Sequence, residues 1–98
     1  MYILVRSKAP KGWAVNSVGH GALACYLQYK DHSDVVDWLE NSFRKVTCKV
    51  TDEELVLAKS AGDYVEITES GLDNMLMCVA FRPRENYPCY FQGFKLYS

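Results

Sequence analysis

The sequence predicts an α/β fold: a three-layer α/β/α sandwich built on a small mixed sheet of four strands. Short apolar runs alternate along the 98 residues with longer segments whose apolar side chains recur at helical spacing. The resulting order is strand, helix, helix, strand, helix, strand, strand, which places helices on both faces of a largely parallel sheet. No linker, internal repeat or low-complexity segment divides the chain, so we expect one domain over residues 1–98.

The first strand and the first helix have the clearest patterns. Tyr2–Arg6 is a short apolar run of β-favouring residues, typical of a buried strand. Pro10 and Gly12 indicate a loop over Ala9–Trp13. A helix is predicted from about Ala14 to Tyr29. Its buried stripe is expected to contain the apolar side chains at helical spacing: Val15, Val18, Ala22, Cys25 and Tyr29.

The middle of the chain predicts a helix, a strand and a further helix. Ser33 is placed to cap a second, shorter helix. Its apolar positions are Val35, Val36, Leu39 and Phe43. Arg44–Val50 alternates between apolar and polar side chains and predicts the second strand. Thr51 and Glu54 fit the capping box of a third helix, which Gly62 ends.

The last third of the chain predicts two paired strands and an irregular end. Tyr64–Thr68 is the third strand, Glu69–Asn74 is a turn, and Met75–Phe81 is a strongly apolar fourth strand. The short turn favours antiparallel pairing of these two strands. Pro83 and Pro88 bracket an irregular stretch. An aromatic cluster follows which, if exposed, would form a partner or homodimer surface: Tyr87, Tyr90, Phe91 and Phe94.

The four cysteines form no C-x-x-C pair, and no histidine lies at zinc-finger spacing from them. We therefore expect no structural metal, and nothing in the sequence indicates an organic cofactor. Cys25, Cys48 and Cys78 fall within predicted elements and are expected to be buried free thiols. Cys89 falls in a loop and is expected to be exposed.

Composition and charge exclude several classes of protein. No apolar run approaches the ~18 residues of a membrane span, and the N-terminus lacks a signal-peptide pattern, so we expect a cytoplasmic protein without a membrane partner. The net charge is −1, whereas strong nucleic-acid binders carry a basic excess. Up to Val50 there are seven basic and four acidic side chains, and after it four basic and eight acidic. A basic patch can therefore form only locally, from residues such as Arg6, Lys8, Lys11, Arg44, Lys45 and Lys49.

The segment from Lys11 to Tyr26 is the candidate functional region. Asn16 and His20 stand four residues apart and share a face near the predicted helix N-terminus. A helix start offers unpaired N–H groups and a partial positive charge, which suit an oxyanion, a phosphate or a carboxylate. Lys8 and Lys11 reinforce that preference.

The order of these elements and motifs resembles the second class of peptidyl-tRNA hydrolases, small α/β hydrolases that use no metal. That family has a K-x-G-K-x-A-A-Q-x-x-H-A loop and helix, a strand ending in V-V-x-K, a helix beginning near D-E-E, a D-A-G-x-T turn, an apolar strand and a terminal L-K-L-Y. The corresponding segments here are Lys11–Ala22, Lys45–Val50, Asp52–Leu55, Glu69–Asp73, Met77–Phe81 and Phe94–Tyr97.

The motif positions are partly retained and partly replaced. Retained residues are Lys11, His20, Lys49 and Gly71. Glu69 stands where the family has its catalytic-loop aspartate, and Asp73 stands where it has a threonine. Ser17 replaces the glutamine that precedes the helix histidine. In the turn, the family's alanine and arginine are replaced by Ser70 and Leu72.

The resemblance implies ester hydrolysis by an activated water. Glu69 or His20 would activate the water, Lys49 and helix N–H groups would hold the oxyanion, and Asp73 would orient the water or a neighbouring base. The implied substrate-binding residues are Lys11, Trp13, Asn16, Ser17, Ser70 and Gly71. The same residues also have purely structural alternatives. Lys49 and Glu69 would form an ion pair, His20 would only pack against the sheet, and Trp13 would cover the sheet edge instead of stacking on a ligand.

Two functions follow from these residues. The first is cleavage of the ester between a peptide and tRNA, with tRNA as a weakly bound partner because the chain is near neutral. The second is a catalytically inactive or repurposed member of the fold, which binds a small anionic ligand or a protein. A third possibility is a purely structural dimerisation domain, which predicts that no binding site is present.

Overall fold

The computed structural model describes residues 1–98, and its centre is a mixed sheet of five strands. In chain order the strands are β1 (Tyr2–Arg6), β2 (Val46–Val50), β3 (Tyr64–Glu69), β4 (Met75–Phe81) and β5 (Lys95–Leu96). Their order across the sheet is β3-β4-β1-β2-β5. β1 and β2 pair in parallel, β4 is antiparallel to both β1 and β3, and β5 is antiparallel to β2. The first three strands therefore run in one direction, as predicted.

Three helices cover the two faces of this sheet. They are α1 (Lys11–Tyr29), α2 (Ser33–Asn41) and α3 (Asp52–Lys59). One core lies between the sheet and the pair α1 and α2, and it contains Ile3 and Val5. A second core lies on the α3 face and contains Leu4. Successive side chains of a strand point to opposite faces, so β1 contributes to both cores. The three-layer α/β/α sandwich is confirmed, but with five strands where four were predicted.

The additional strand is very short. Lys95 and Leu96 pair with Lys49 and Cys48 of β2, and the N–H of Tyr97 donates to the carbonyl of Thr47 at 2.9 Å. Two residues are too few to display the alternation that identifies a strand, so only the pairing with β2 defines this element.

α1 begins at Lys11, three residues earlier than predicted, because the N–H of Ala14 already donates to the carbonyl of Pro10 at 2.9 Å. Its buried stripe is also rotated, and Val15 is 61% exposed. The buried residues are Ala14, Ser17, Gly21 and Cys25. Gly21 lies on this buried stripe and faces the sheet: a β-carbon there would be in ordinary van der Waals contact with Cys78, Ala80 and Ile67, at 3.4 to 3.5 Å.

α2 and β2 differ from the prediction at their beginnings. His32, not Ser33, caps α2, because the N–H of Asp34 donates to His32 Nδ1 at 3.1 Å. β2 begins at Val46, and the preceding Arg44 and Lys45 lie outside it. The predicted capping box of α3 is confirmed. The N–H of Glu54 donates to Thr51 Oγ1 at 3.1 Å, and the N–H of Thr51 donates to Glu54 Oε1 at 2.9 Å.

The late aromatic cluster belongs to the α3-side core. Phe91 is 1% exposed and Phe94 is 7% exposed, whereas Tyr87 and Tyr90 are half-buried. The ring centroids of Phe91 and Phe81 are 5.2 Å apart with their planes nearly perpendicular. The cluster therefore closes a core and does not form an exposed partner surface.

The burial of the cysteines is as predicted: Cys25, Cys48 and Cys78 are buried and Cys89 is exposed. Burial raises the pKa of the Cys25 and Cys78 thiols to about 11, so these groups stay protonated in neutral solution. None of the helices combines the length and apolar character that a membrane crossing requires.

Candidate active site

The candidate site lies where β1, β2 and β3 end. These three strands run in one direction, so their carboxyl ends share one edge of the sheet, here called the carboxyl edge. The start of α1, the start of α3 and the turn after β3 meet the same edge. In sheets of this kind ligands bind outside the carboxyl ends of the strands.

The turn after β3 contacts the first turn of α1. The N–H of Gly71 donates to Glu69 Oε1 at 3.1 Å, which fixes one oxygen of that carboxylate. A β-carbon on Gly71 would lie only 2.9 Å from Cη2 of Trp13 and 3.3 Å from Glu69 Oε1. Trp13 therefore rests on this turn at a distance that only glycine permits. Trp13 is 42% exposed, so part of this residue also faces solvent at the turn that carries Glu69.

The backbone of the turn presents its polar groups to solvent. Asp73 and Asn74 adopt left-handed conformations, with φ of 54° and 59°. The N–H of Asn74 donates to the carbonyl of Glu69 at 3.0 Å and closes the turn. The side chains of Ser70 and Asp73 are exposed, and the second oxygen of the Glu69 carboxylate accepts no hydrogen bond from the protein. That oxygen is free to bind a water or a ligand.

A charged cluster lies beside this turn. Arg6 donates to both carboxylate oxygens of Asp52, at 2.9 and 3.2 Å, and Lys8 donates to the same carboxylate at 3.1 Å. Hydrogen bonds from Arg6 and Lys8 lower the pKa of Asp52 to about 2. Arg6 also donates to the carbonyl of Leu76 at 3.1 Å, which ties the end of β1 to the start of β4. Two cations share one carboxylate, so the cluster remains net positive.

The start of α1 adds a further cation and free backbone donors. Lys11 is exposed and pairs with no carboxylate. The first helical N–H that finds a backbone partner is that of Ala14, so the N–H groups of Lys11, Gly12 and Trp13 are free. A β-carbon on Gly12 would meet nothing within 4 Å, so the space around this first turn is open.

Three predicted residues of α1 do not lie at its N-terminus, because the helix begins at Lys11. Asn16 and His20 are exposed and share a face, but they occupy its second and third turns. Ser17 is 1% exposed, its hydroxyl donates to the carbonyl of Ala14 at 2.9 Å, and its own carbonyl accepts the Cys78 thiol at 3.4 Å. The Ser17 side chain is thus used within the fold.

Lys49 and Glu69 are far apart across the sheet. β4 and β1 lie between their strands, which separates the two strands by about 14 Å at the usual spacing. Lys49 Nζ donates to the carbonyl of Ser98 at 3.3 Å and lies 5.0 Å from the centre of the Tyr97 ring. The structure therefore brings Trp13, Glu69 and Gly71 together and places Lys49 elsewhere along the same edge.

Most of the chain matches a known family. The sequence model of the family described as peptidyl-tRNA hydrolase PTH2 matches residues 1–86. The chain belongs to this family. No curated protein matches it. The PTH2 match contains every candidate site residue from Lys11 to Asp73, whereas the terminal segment Phe94–Tyr97 lies beyond the matched residues.

The PTH2 fold of this chain also holds a polar region that sequence reasoning missed. A cavity of about 570 Å³ lies at the opposite edge of the sheet, between α2 and the segment after β4. Beside it Arg82, 8% exposed, donates to Asp34 at 3.0 Å and to Asp63 at 3.2 Å. The sequence feature that indicates this polar region is an arginine directly after the apolar strand β4. No group of three or more His, Cys, Asp or Glu side chains is placed to hold a metal ion.

Proposed function

We propose that this PTH2-family chain hydrolyses the ester bond between a peptide and tRNA at the carboxyl edge. The observation that carries the proposal is the Glu69 carboxylate. One oxygen is fixed by the N–H of Gly71, the other has no protein donor, and the group faces an edge that bears the unpaired Lys11. The family match over residues 1–86 supports the reaction class.

Glu69 is the general base of this proposal. A water bound to its free oxygen attacks the ester carbonyl carbon, and the carboxylate takes the proton of that water. The tetrahedral intermediate then collapses, the bond to the ribose oxygen of the tRNA breaks, and that oxygen receives the proton. Glu69 suits this step better than His20, which lies about 10 Å further along α1 than Trp13.

The first turn of α1 holds the developing oxyanion. Its free N–H groups and the ammonium of Lys11 provide donors and positive charge next to the turn that carries Glu69. Lys49 lies too far from Glu69 to share this role, so we assign it to a phosphate of the tRNA backbone. Asp73, exposed at the end of the turn, orients the water or the substrate.

Binding of tRNA in this proposal is local and weak. The cations of the edge are Lys11, Lys49 and the pair Arg6 and Lys8, which share the Asp52 carboxylate, while the chain as a whole carries −1. Phosphate contacts of this kind lose affinity as salt rises because bound counterions are released. Since tRNA is the proposed substrate, we place the protein in the cytoplasm.

A repurposed family member is the second candidate, and the state of Ser17 favours it. The side chain at the family's glutamine position is buried and bonded to Ala14, so it cannot reach a ligand at the edge. On this alternative the first turn of α1 binds a small anion without hydrolysis. Titration of the unliganded protein with inorganic phosphate, followed by amide NMR shifts at residues 11–13, detects such binding independently of catalysis.

The decisive experiment measures release of tRNA from an N-acetyl-aminoacyl-tRNA by the purified protein. We expect turnover by the wild type and a loss of about 100-fold or more in Glu69→Gln, which keeps an acceptor for the Gly71 N–H but removes the base. Glu53→Gln, an exposed carboxylate on α3, is the matched control and should retain full activity. A well-folded wild type without turnover overturns the function, and an active Glu69→Gln overturns the role of Glu69.

A further inference from the structure

The start of β4, which follows the turn that carries Glu69, has no backbone partner on β1. The pairing of β1 with β4 ends at Val5 and Cys78, whereas β4 begins three residues before Cys78, at Met75. Of the strands, only β3 pairs with this first part of β4. Because backbone N–H and C=O groups need partners, the side of β4 that faces β1 must be held by other groups here.

The pairing with β3 is irregular in the same part of β4. Ile67 of β3 pairs with Cys78. The next residue, Thr68, pairs with Leu76, so Met77 is an extra residue on β4. A bulge of this kind interrupts the ladder and bends the strand. The ladder with β3 therefore fixes this end of β4 less firmly than a regular ladder would.

The guanidinium of Arg6 takes the place of the missing β1 partner. Its Nη1 donates to the carbonyl of Leu76 at 3.1 Å, and its Nε and Nη2 donate to the two carboxylate oxygens of Asp52 at 2.9 and 3.2 Å. The Arg6 side chain is 19% exposed, and the two-pronged contact with Asp52 holds its planar group in one orientation. Arg6 thus joins β1, α3 and β4 at the point where β4 begins.

We propose that Arg6 is a positioning residue for Glu69, an inference that rests on the hydrolysis proposed above. Glu69 and Met75 are the last pair of β3 and β4, and the N–H of Asn74 donates to the carbonyl of Glu69 at 3.0 Å. A shift of the start of β4 therefore moves the Glu69 carboxylate relative to the first turn of α1. Arg6 acts through the carbonyl of Leu76 and takes no part in the proton transfer.

The Arg6→Lys variant separates the position of β4 from the charge of the edge. A lysine has one ammonium on a flexible stem and no planar fork, so it does not hold the Asp52 carboxylate and the Leu76 carbonyl in one fixed arrangement. It keeps the positive charge, so the attraction of the edge for phosphate remains.

The test compares kcat and KM for cleavage of N-acetyl-aminoacyl-tRNA by the wild type and Arg6→Lys, with the folded fraction of each measured by urea unfolding. We expect kcat per folded molecule to fall about tenfold to a hundredfold, because the reacting group is misplaced, with KM within about twofold. Arg84→Lys is the matched control and should keep both constants. Arg84 also donates through Nε and Nη1 to backbone carbonyls, those of Asn86 and Ala61, but it lines the cavity at the opposite edge.

A second variant, Asp52→Asn, loosens the guanidinium from α3 without changing Arg6. A neutral amide binds a guanidinium less strongly than a carboxylate does, so kcat should fall in the same direction but by a smaller factor. In the double variant the two losses should be less than additive, because both act through the same side chain. The two substitutions lie on different elements, so a folding defect in one leaves the other informative.

Amide hydrogen exchange, followed by NMR, measures the turn independently of catalysis. The N–H groups of Gly71 and Asn74 should exchange about tenfold faster in Arg6→Lys than in the wild type, because the turn opens more readily. The N–H of His32, which donates to the carbonyl of Tyr29 in the turn between α1 and α2, should exchange at an unchanged rate.

The outcomes distinguish this inference from the proposed function. A wild type without turnover overturns the proposed function, and the exchange rates of Gly71 and Asn74 then decide whether Arg6 positions the turn. An active wild type with an unchanged kcat in Arg6→Lys overturns the positioning role, as does an equal fall of kcat in Arg84→Lys. Unchanged exchange at Gly71 and Asn74 overturns it as well.

Discussion

Trp13 rests on Gly71 so closely that a β-carbon at Gly71 would come within 2.9 Å of the indole. This contact joins the first turn of α1 to the turn that carries Glu69, although the two segments lie far apart in the chain. The position of the carboxylate relative to the free N–H groups of α1 therefore depends on this pair.

Gly71→Ala should destabilise the protein by about 1–3 kcal/mol, because the new methyl group displaces the indole. Removing the indole as well, in Trp13→Ala with Gly71→Ala, should relieve most of that clash, so the two substitutions are not additive. Urea unfolding of the four proteins measures the coupling. Gly93→Ala is the control, since a β-carbon there meets nothing within 4 Å, and additive effects of the first pair would contradict the prediction.

Stability should fall in acid because of Asp52. Its folded pKa, about 2, is below the unfolded value of about 3.9, so the stabilisation is present above that unfolded value and is lost as the pH falls towards 2. In Asp52→Asn the free energy of unfolding should depend less on pH across this window. Denaturant unfolding at several pH values measures the slope.

The control for this acid dependence is Asp73→Asn. Asp73 is exposed and forms no ion pair, so Asp73→Asn removes a carboxylate without removing a salt bridge and should leave the pH dependence caused by Asp52 in place. Equal slopes for wild type and Asp52→Asn would show that the contacts with Arg6 and Lys8 do not persist in solution.

The sequence predicted the elements and their order because each long element has its own periodicity or cap. The capping box at Thr51 and Glu54 is an example, since it depends only on residues three apart. The face that α1 buries was predicted less well, because the exposed Val15 counts as apolar while Gly21 gives no apolar signal. The packing of α1 against the sheet determines which face of the helix is buried, and this packing cannot be read from a single sequence.

The candidate site was predicted as a set of residues but not as a geometry. Glu69 and Gly71 were recognised together because they lie in one short turn that resembles the family's D-A-G-x-T motif. The separation of Lys49 from Glu69 follows from two strands inserted between theirs, and the order of strands cannot be read from local patterns. The Trp13–Gly71 contact was missed for the same reason, since it joins two elements that only the fold brings together.

Arg82 should contribute more to stability than any exposed cation. It is 8% exposed and donates to two carboxylates and to the carbonyl of Pro83. Arg82→Met should lower the free energy of unfolding by about 1.5–3 kcal/mol, the range for hydrogen bonds to charged groups. Arg82→Lys should recover only part of this, because an ammonium lacks the planar fork.

Urea unfolding compares the free energies of unfolding of these variants. Lys95→Met is the control, since Lys95 is an exposed cation. The control should change the free energy of unfolding by less than about 0.5 kcal/mol. Equal effects of Arg82→Met and Lys95→Met would mean that the Arg82 contacts add nothing beyond an ordinary surface charge.

Lys49 should contact the phosphate backbone of tRNA without taking part in the chemical step. Its strand lies about 14 Å from that of Glu69, but both strands end at the carboxyl edge. Lys49→Gln should therefore weaken tRNA binding, and the slope of log affinity against log salt should decrease by about 0.7–0.9, the value for one phosphate contact. The rate of cleavage at saturating substrate should remain that of the wild type.

Lys30→Gln, at the other end of α1, should leave both the affinity and the slope unchanged. An unchanged salt slope in Lys49→Gln would exclude the phosphate contact, and a loss of the saturated rate would return Lys49 to the catalytic step despite its distance.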